Sequence, residues 1–347
     1  MLVLSSVGLC GTAQALPPGN AITSGQALLR YSLPIDNEPI RKAQSSIEDI
    51  AQSLRGRRRL SSINSNLIRA QRVLDQADET ILPDVRPDKQ DEVIALVAEI
   101  KSDIEQLRDA IDNRDKESIW LGRADILSHI GQIEEDMVQS FPFEVPEEYS
   151  TLPQLKGRAT LEVNTNRGSL LMVVDGYNAP VTAGNFVDLV QRGFYDGLPF
   201  TRAEDFYVVQ AGDPPGPEEG FIDPETNEYR AIPLEVMVEG EDEPVYGITL
   251  EDAGMFLEQP ILPFSAYGTV AMARPGDDPN GGSSQFFFFL FEPELTPAGL
   301  NLLDGRYAVF GYVIENREIL GKIKQGDVIE SIRVVSGADN LVQPQNA

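Results

Sequence analysis

Between residues 38 and 140, apolar or small side chains recur in steps of three and four. One series runs Leu60, Ile63, Leu67, Ala70, Leu74, Ala77 and Ile81. A second runs Val93, Val97, Ile100, Ile104, Leu107 and Ile111, and a third Ile126, Ile130, Ile133 and Met137. This spacing places each series on one face of an α-helix, and single apolar stripes on polar helices must be buried against one another. Pro83 and Pro87 bracket a turn between two of these helices. With a shorter helix from Ile40 to Leu54, the pattern predicts a bundle of about four helices. Leu60, Leu67, Leu74 and Ile81 also fit a heptad that could zip to another chain, but matching stripes on the neighbouring helices favour a self-contained bundle.

The pattern changes at residue 141. Pro142, Pro146 and Pro153, interleaved with Phe141, Phe143 and Tyr149, predict an extended linker held down by aromatic rings. Beyond it the period becomes two. Ala159–Val163 and Ser169–Val174 read as strands joined by a turn over Asn164–Gly168. Phe206–Val209, Thr269–Met272, Phe286–Leu290, Ala308–Val313 and Val328–Val335 are further strands, with one helix at Ala183–Gln191. Short strands and Gly/Pro turns predict a closed β-barrel, and the tail after Asn340 reads as loose. The fold class is therefore mixed: an N-terminal helical bundle followed by a β-barrel. We divide the chain into an export-signal remnant and extended segment (1–30), the bundle (31–141), the linker (142–157) and the barrel (158–347). An acidic insert occupies about 213–262.

Charge narrows the function. Against 28 basic side chains stand 55 acidic ones, a net charge of −27. Such a surface repels phosphate backbones, which argues against nucleic acid as a partner. Residues 213–258 alone hold 14 acidic side chains and one arginine, yet their spacing matches no EF-hand loop, and no metal is expected. The single cysteine, Cys10, excludes an intrachain disulfide, a cysteine-based zinc site and an iron–sulfur cluster. The single histidine, His129, excludes paired-histidine metal sites and reads as a bundle residue, as Trp120 reads as core or domain junction. Arg55-Gly-Arg-Arg-Arg59 is the one basic patch, read as a partner for acidic surface within the molecule or a solvated helix–helix corner, with a docking site for an acidic partner or membrane surface as the alternative. Residues 1–15 form an apolar run ending in Ala13-Gln14-Ala15, a signal-peptidase pattern too short to span a bilayer. Export, no transmembrane anchor and a mature start near Leu16-Pro17-Pro18-Gly19 are the expectation.

Six ordered motifs then carry a resemblance. They are Pro180-Val-Thr-Ala-Gly-Asn185-Phe186, Phe194-Tyr-Asp-Gly-Leu-Pro-Phe200-Thr-Arg202, Gln210-Ala-Gly-Asp213, Ala271-Met-Ala273, Gly282-Ser-Ser-Gln285-Phe286-Phe287 and Leu303-Asp-Gly-Arg-Tyr307-Ala-Val-Phe-Gly311. Over residues 157–336 the chain resembles the cyclophilins. A helical half followed by a cyclophilin with an acidic insert is similar to the multidomain cyclophilins of the thylakoid lumen in plants and cyanobacteria. The resemblance implies an eight-stranded barrel and a role in assembling and maintaining photosystem II. It also implies proline-containing client segments, including photosystem II core subunits, and the lumenal face of thylakoid membrane proteins as partners.

The implied chemistry is rotation about the amide before proline, which costs roughly 18–20 kcal/mol because of amide resonance. Removing that resonance requires no nucleophile, general base or cofactor. A guanidinium that donates to the prolyl nitrogen as it pyramidalises stabilises the twisted state more than either planar one. By resemblance Arg202 is that group, although an ion pair with Glu204 or Asp205 is the plainer role for a lone arginine. Gln210 would hold the substrate carbonyl or orient Arg202, Phe287 would floor the proline pocket, and Ala273 would add backbone contacts. Departures from the family accompany these. Tyr207-Val208 stands where active members carry Phe-Met, Leu302 stands for the pocket tryptophan beside a retained Leu303, Tyr307 for histidine and Arg274 for asparagine. The smaller pocket implies weak isomerase activity and poor cyclosporin binding, at ~1–3 kcal/mol of lost interaction. A groove that binds proline loops without turning them over, or a scaffold docking to a membrane protein, is the alternative.

Overall fold

The computed structural model describes residues 22–55, 61–217, 219–224, 226–291 and 301–344. The expected export signal with Cys10, Leu60 and the basic run beyond Arg55 lie outside the described residues. The helical half comprises α1 (Gly25–Tyr31), α2 (Glu38–Glu48), α3 (Ile50–Arg55), α4 (Ser61–Leu74), α5 (Ala77–Thr80), α6 (Gln90–Asp112) and α7 (Lys116–Asp136). Two starts are capped as physics requires: the Asn37 side chain accepts from the Ile40 amide, ahead of Pro39, and Asp115 accepts from the Ser118 amide. The three sequence stripes meet Ile40, Ala43, Ile47 and Ile50 in one buried cluster. Leu67, Leu74 and Ile81 of the heptad are thereby spent inside the bundle and offer no zipper. The helix expected over Ile40–Leu54 is two, α2 and α3, separated at Asp49.

The eight long-range strands of the C-terminal half are β2 (Arg158–Thr165), β3 (Gly168–Asp175), β4 (Arg202–Glu204), β5 (Val208–Ala211), β8 (Thr269–Met272), β9 (Phe286–Phe289), β10 (Val309–Glu315) and β11 (Ile329–Ser336). They form one antiparallel sheet in the order β11-β2-β3-β10-β8-β9-β5-β4. The sheet curls until its edges meet at the bridge Pro199↔Val328, reinforced by Gly197 N–H donating to the Ile329 carbonyl and Phe200 N–H to that of Asp327. Helix α8 (Pro180–Gln191) seats Phe186 in the core against Tyr195, Phe286 and Phe310. Strand β2 alternates half-buried and buried residues along its length, as a sheet with one covered face should. Strands β8 and β9 are buried on both faces, which is why β9 reads Phe-Phe-Phe-Phe. Phe286 and Phe288 point into the core, while Phe287 and Phe289 lie outside beneath Leu28, Leu29, Leu262 and Phe264.

Leu28 and Leu29 belong to α1, in a stretch expected to be extended. A helix of seven residues is too short to display a period, and its apolar pair is buried against the barrel instead of the bundle. Arg158 bolts this segment down: its Nε and Nη2 reach the Asp175 carboxylate at 2.9 and 2.7 Å, and Nη2 also donates to Ser32 Oγ and the Leu29 carbonyl. The described part of the tail, residues 341–344, is likewise ordered where looseness was expected. β1 (Gln154–Leu155) pairs with β12 (Leu341–Val342), a two-residue contact no local pattern reveals. The linker carries a 3-10 turn at Glu147–Tyr149 and is pinned by Phe141 on Phe143 and Tyr149 on Tyr246.

The acidic insert is anchored in the core by Phe221, Ile232, Leu234, Val236 and Val238 and carries the hairpin β6 (Glu235–Val236) and β7 (Val245–Tyr246). Its Glu235, buried, accepts from the Val181 and Thr182 amides and caps α8. No helix among the described residues is long and apolar enough to cross a membrane.

Candidate active site

Strand register assembles the site. Arg202 on β4 faces Gln210 on β5, Gln210 faces Phe287 on β9, and Phe287 faces Ala271 on β8. Directly paired residues share a sheet face, so one row carries a guanidinium, an amide and a phenyl ring to the outside of the barrel. The next row places Glu204 opposite Val208 and Val208 opposite Phe289. A cavity of about 140 Å³ opens over these rows, lined by Arg202, Tyr207, Val208, Gln210, Ala273, Arg274, Phe287, Leu303 and Tyr307. Of the positions singled out in the sequence, Leu302 alone stays away: it is 89% exposed and lines nothing here, and Leu303 takes the wall.

The floor is aromatic. Phe287 is buried with Phe264 stacked at 6.0 Å and Tyr307 edge-on at 5.4 Å. Arg274 folds back on its own loop, donating from Nε to the Arg306 carbonyl and from Nη1 to that of Pro275, with its guanidinium 5.2 Å from the Tyr307 ring centre. Gln210 donates to Gln285 Oε1 at 2.8 Å, and Gln285 donates in turn to Asp213 Oδ1 and the Glu219 carbonyl at the start of the insert. Arg202 Nε donates to Glu204 Oε1 at 2.7 Å, a bond that raises the arginine's pKa further, and its guanidinium stands 5.7 Å from the Tyr207 ring centre. The strand expected over Phe206–Val209 begins only at Val208. Phe206 has φ of 63° and is 78% exposed at the tip of a hairpin whose first strand, β4, the sequence did not disclose.

Gln285 and Phe264 were missed. Gln285 stands two residues before Phe287, a spacing that could have placed it on the same face; Phe264 arrives from a distant loop and leaves no sequence signal. Among the described residues no cluster of His, Cys, Asp and Glu is placed to hold a metal. What the site offers is the Arg202 guanidinium, a second guanidinium on Arg274 tied to backbone carbonyls, one amide and an apolar floor. That suits a neutral ring such as proline bound beside a polar amide whose nitrogen is gaining a lone pair.

An antiparallel barrel with this row on its outer face presents a groove that is polar on one side and aromatic on the other. The chain belongs to the cyclophilin-type peptidyl-prolyl cis-trans isomerase family. Residues 160–341 match the family model of cyclophilin type peptidyl-prolyl cis-trans isomerases, and residues 24–138 match the PsbQ-like domain of CYP38-like isomerases. A Synechocystis protein provisionally named as a thylakoid lumen peptidyl-prolyl cis-trans isomerase is 57% identical over 328 residues, covering 94% of this chain and 86% of its own. The chloroplastic isomerase CYP38 of Arabidopsis thaliana is 48% identical, covering 94% and 77%, and chloroplastic CYP37 is 31% identical, covering 92% and 71%.

Proposed function

We propose that this chain is a peptidyl-prolyl isomerase and folding helper of the thylakoid lumen that assists assembly and maintenance of photosystem II, with weak intrinsic catalysis. The observation that carries the catalytic part is the convergence of Arg202, Gln210 and Phe287 in one cross-strand row over a single cavity. The names of the relatives support the compartment, and the resemblance of the whole chain to the multidomain lumenal cyclophilins supports the clients: proline-containing segments of photosystem II core subunits, met at the lumenal face of the membrane. A cavity of about 140 Å³, Leu302 standing outside it and an Arg202 already engaged by Glu204 support the reading of weak turnover. The same features favour, as a second reading, a module that binds proline loops without rotating them. Exchange NMR on a single-proline peptide separates the two. Exchange between cis and trans signals faster with the protein than without it supports the enzyme. Chemical-shift changes that map to the cavity without faster exchange would leave only the binding module.

A further inference from the structure

The guanidinium that faces the substrate is held by a group outside the cavity's lining. Arg202 and Glu204 lie two positions apart on β4, hence on one face, and Nε–H donates to Oε1 at 2.7 Å with the side chains 47% and 51% exposed. Gln210, the amide beside Arg202 in the cross-strand row, is turned to Gln285 instead. The neighbouring acid, Asp205, is occupied by Lys324 Nζ at 2.7 Å. Glu204 is therefore the carboxylate at the cavity edge whose counter-ion is the reacting arginine itself. Exposed ion pairs are weak and readily exchanged for another cation.

We propose that Glu204 is a specificity-determining residue: a clasp on Arg202 that a cationic client side chain releases, so that the site prefers prolines flanked by lysine or arginine. The inference rests on the reading of Arg202 as the group that faces the prolyl nitrogen. While the clasp is closed, one donor of Arg202 is consumed and its charge is offset by the carboxylate, which weakens its pull on a developing lone pair. A client ammonium or guanidinium that takes Glu204 anchors the peptide and returns the full charge of Arg202 to the cavity. A client carboxylate at the same place is repelled by Glu204. The net charge of −27 adds to this by concentrating cationic segments near the surface.

The test uses the full chain and single-proline peptides that differ only in one residue, Lys, Ala or Glu, moved through the flanking positions on both sides. At one of these positions the Lys peptide should exceed the Glu peptide about tenfold in kcat/KM. Glu204→Gln should bring that ratio below about twofold and raise the Ala peptide several-fold, while Asp205→Asn, with the same change of net charge, should leave the ratio in place. A ratio unchanged in Glu204→Gln overturns the clasp, and so does a ratio abolished equally by Asp205→Asn, which would make it a long-range field effect. If no peptide is isomerised by the wild type, the isomerase reading is what fails. The clasp is then read from peptide dissociation constants, where the same Lys-over-Glu ratio and its loss in Glu204→Gln support it and their absence overturns it.

Discussion

Replacing Arg158 by methionine removes the bolt between the N-terminal segment and the barrel. The Asp175 carboxylate is fully buried, and Arg158 is 10% exposed. Without the arginine, Asp175 keeps the Asn178 amide and side chain on Oδ1 and the Ser32 hydroxyl on Oδ2, so it remains hydrogen-bonded but has lost its counter-ion. Breaking a buried pair from one side typically costs about 3–5 kcal/mol, because an uncompensated charge stays inside. The Leu29 carbonyl also loses a donor, and the surviving hydrogen bonds to Asp175 offset part of that, so the expected loss is about 3–4 kcal/mol. Asp175→Asn removes the stranded charge while keeping an acceptor, so the double variant should recover about 1–2 kcal/mol over Arg158→Met alone. Urea unfolding followed by near-UV dichroism of the barrel tyrosines measures both. The only tryptophan, Trp120, packs on the bundle cluster and reports that half separately. A loss under about 1 kcal/mol, or a double variant no more stable than the single one, would refute the claim that this pair is buried and mutually dependent.

Burial pushes the Glu134 carboxyl up to about 7, with Arg41 at 3.1 Å only partly opposing it. The folded state therefore holds a proton that the unfolded chain releases near 4.5, so this contribution is present below that pH and is lost as pH rises through 7. The bundle should be more stable at pH 5.5 than at pH 8 by about 2 kcal/mol from this group, and Glu134→Gln should remove that part of the slope. Asp136, pushed by burial to about 6, acts in the same direction. Trp120 fluorescence in urea at the two pH values decides it, and stability that rises with pH would contradict the assignment. Gly212 has φ of +97°, and a Cβ there would sit 2.3 Å from the Ser284 carbonyl oxygen, one residue before Gln285. Gly212→Ala should cost about 3 kcal/mol in thermal unfolding and lower peptide turnover by displacing the Gln285–Gln210 contact; an unchanged melting temperature would show that the backbone there can yield.

The helical half was legible because each long helix carries a stripe whose partners are other stripes in the same stretch of chain. α1 was not, since seven residues show no period and its leucines answer to a surface about 240 residues away, beside Phe264 and Phe287. The run Phe206–Val209 looks like an even strand, but Phe206 adopts the left-handed conformation that turns the hairpin, so only its second half is strand. The four phenylalanines of β9 disclose a strand without disclosing that both faces are covered. The site was legible through family motifs, not through periodicity: nothing in the spacing of Arg202, Gln210 and Phe287 says that they fall in one cross-strand row. An ion pair of Arg202 with Glu204 or Asp205, by contrast, was open to view as proximity in the chain, and β4 decides between them by placing Glu204 on the arginine's face. The exposure of Leu302 was not, because position beside Leu303 does not say which of the two turns inward.

The central claim is that Arg202 acts on the twisting amide, and the most direct measurement of it is the rate of prolyl isomerisation by the full chain and by Arg202→Ala. Because Arg202 is half exposed and paired only at the surface, the variant should fold normally, and its melting temperature should match the wild type within a few degrees. The account predicts that kcat falls by about 10²-fold or more while the peptide's affinity changes little, the signature of an interaction made in the transition state. A folded Arg202→Ala variant that isomerises the peptide as fast as the wild type would contradict it.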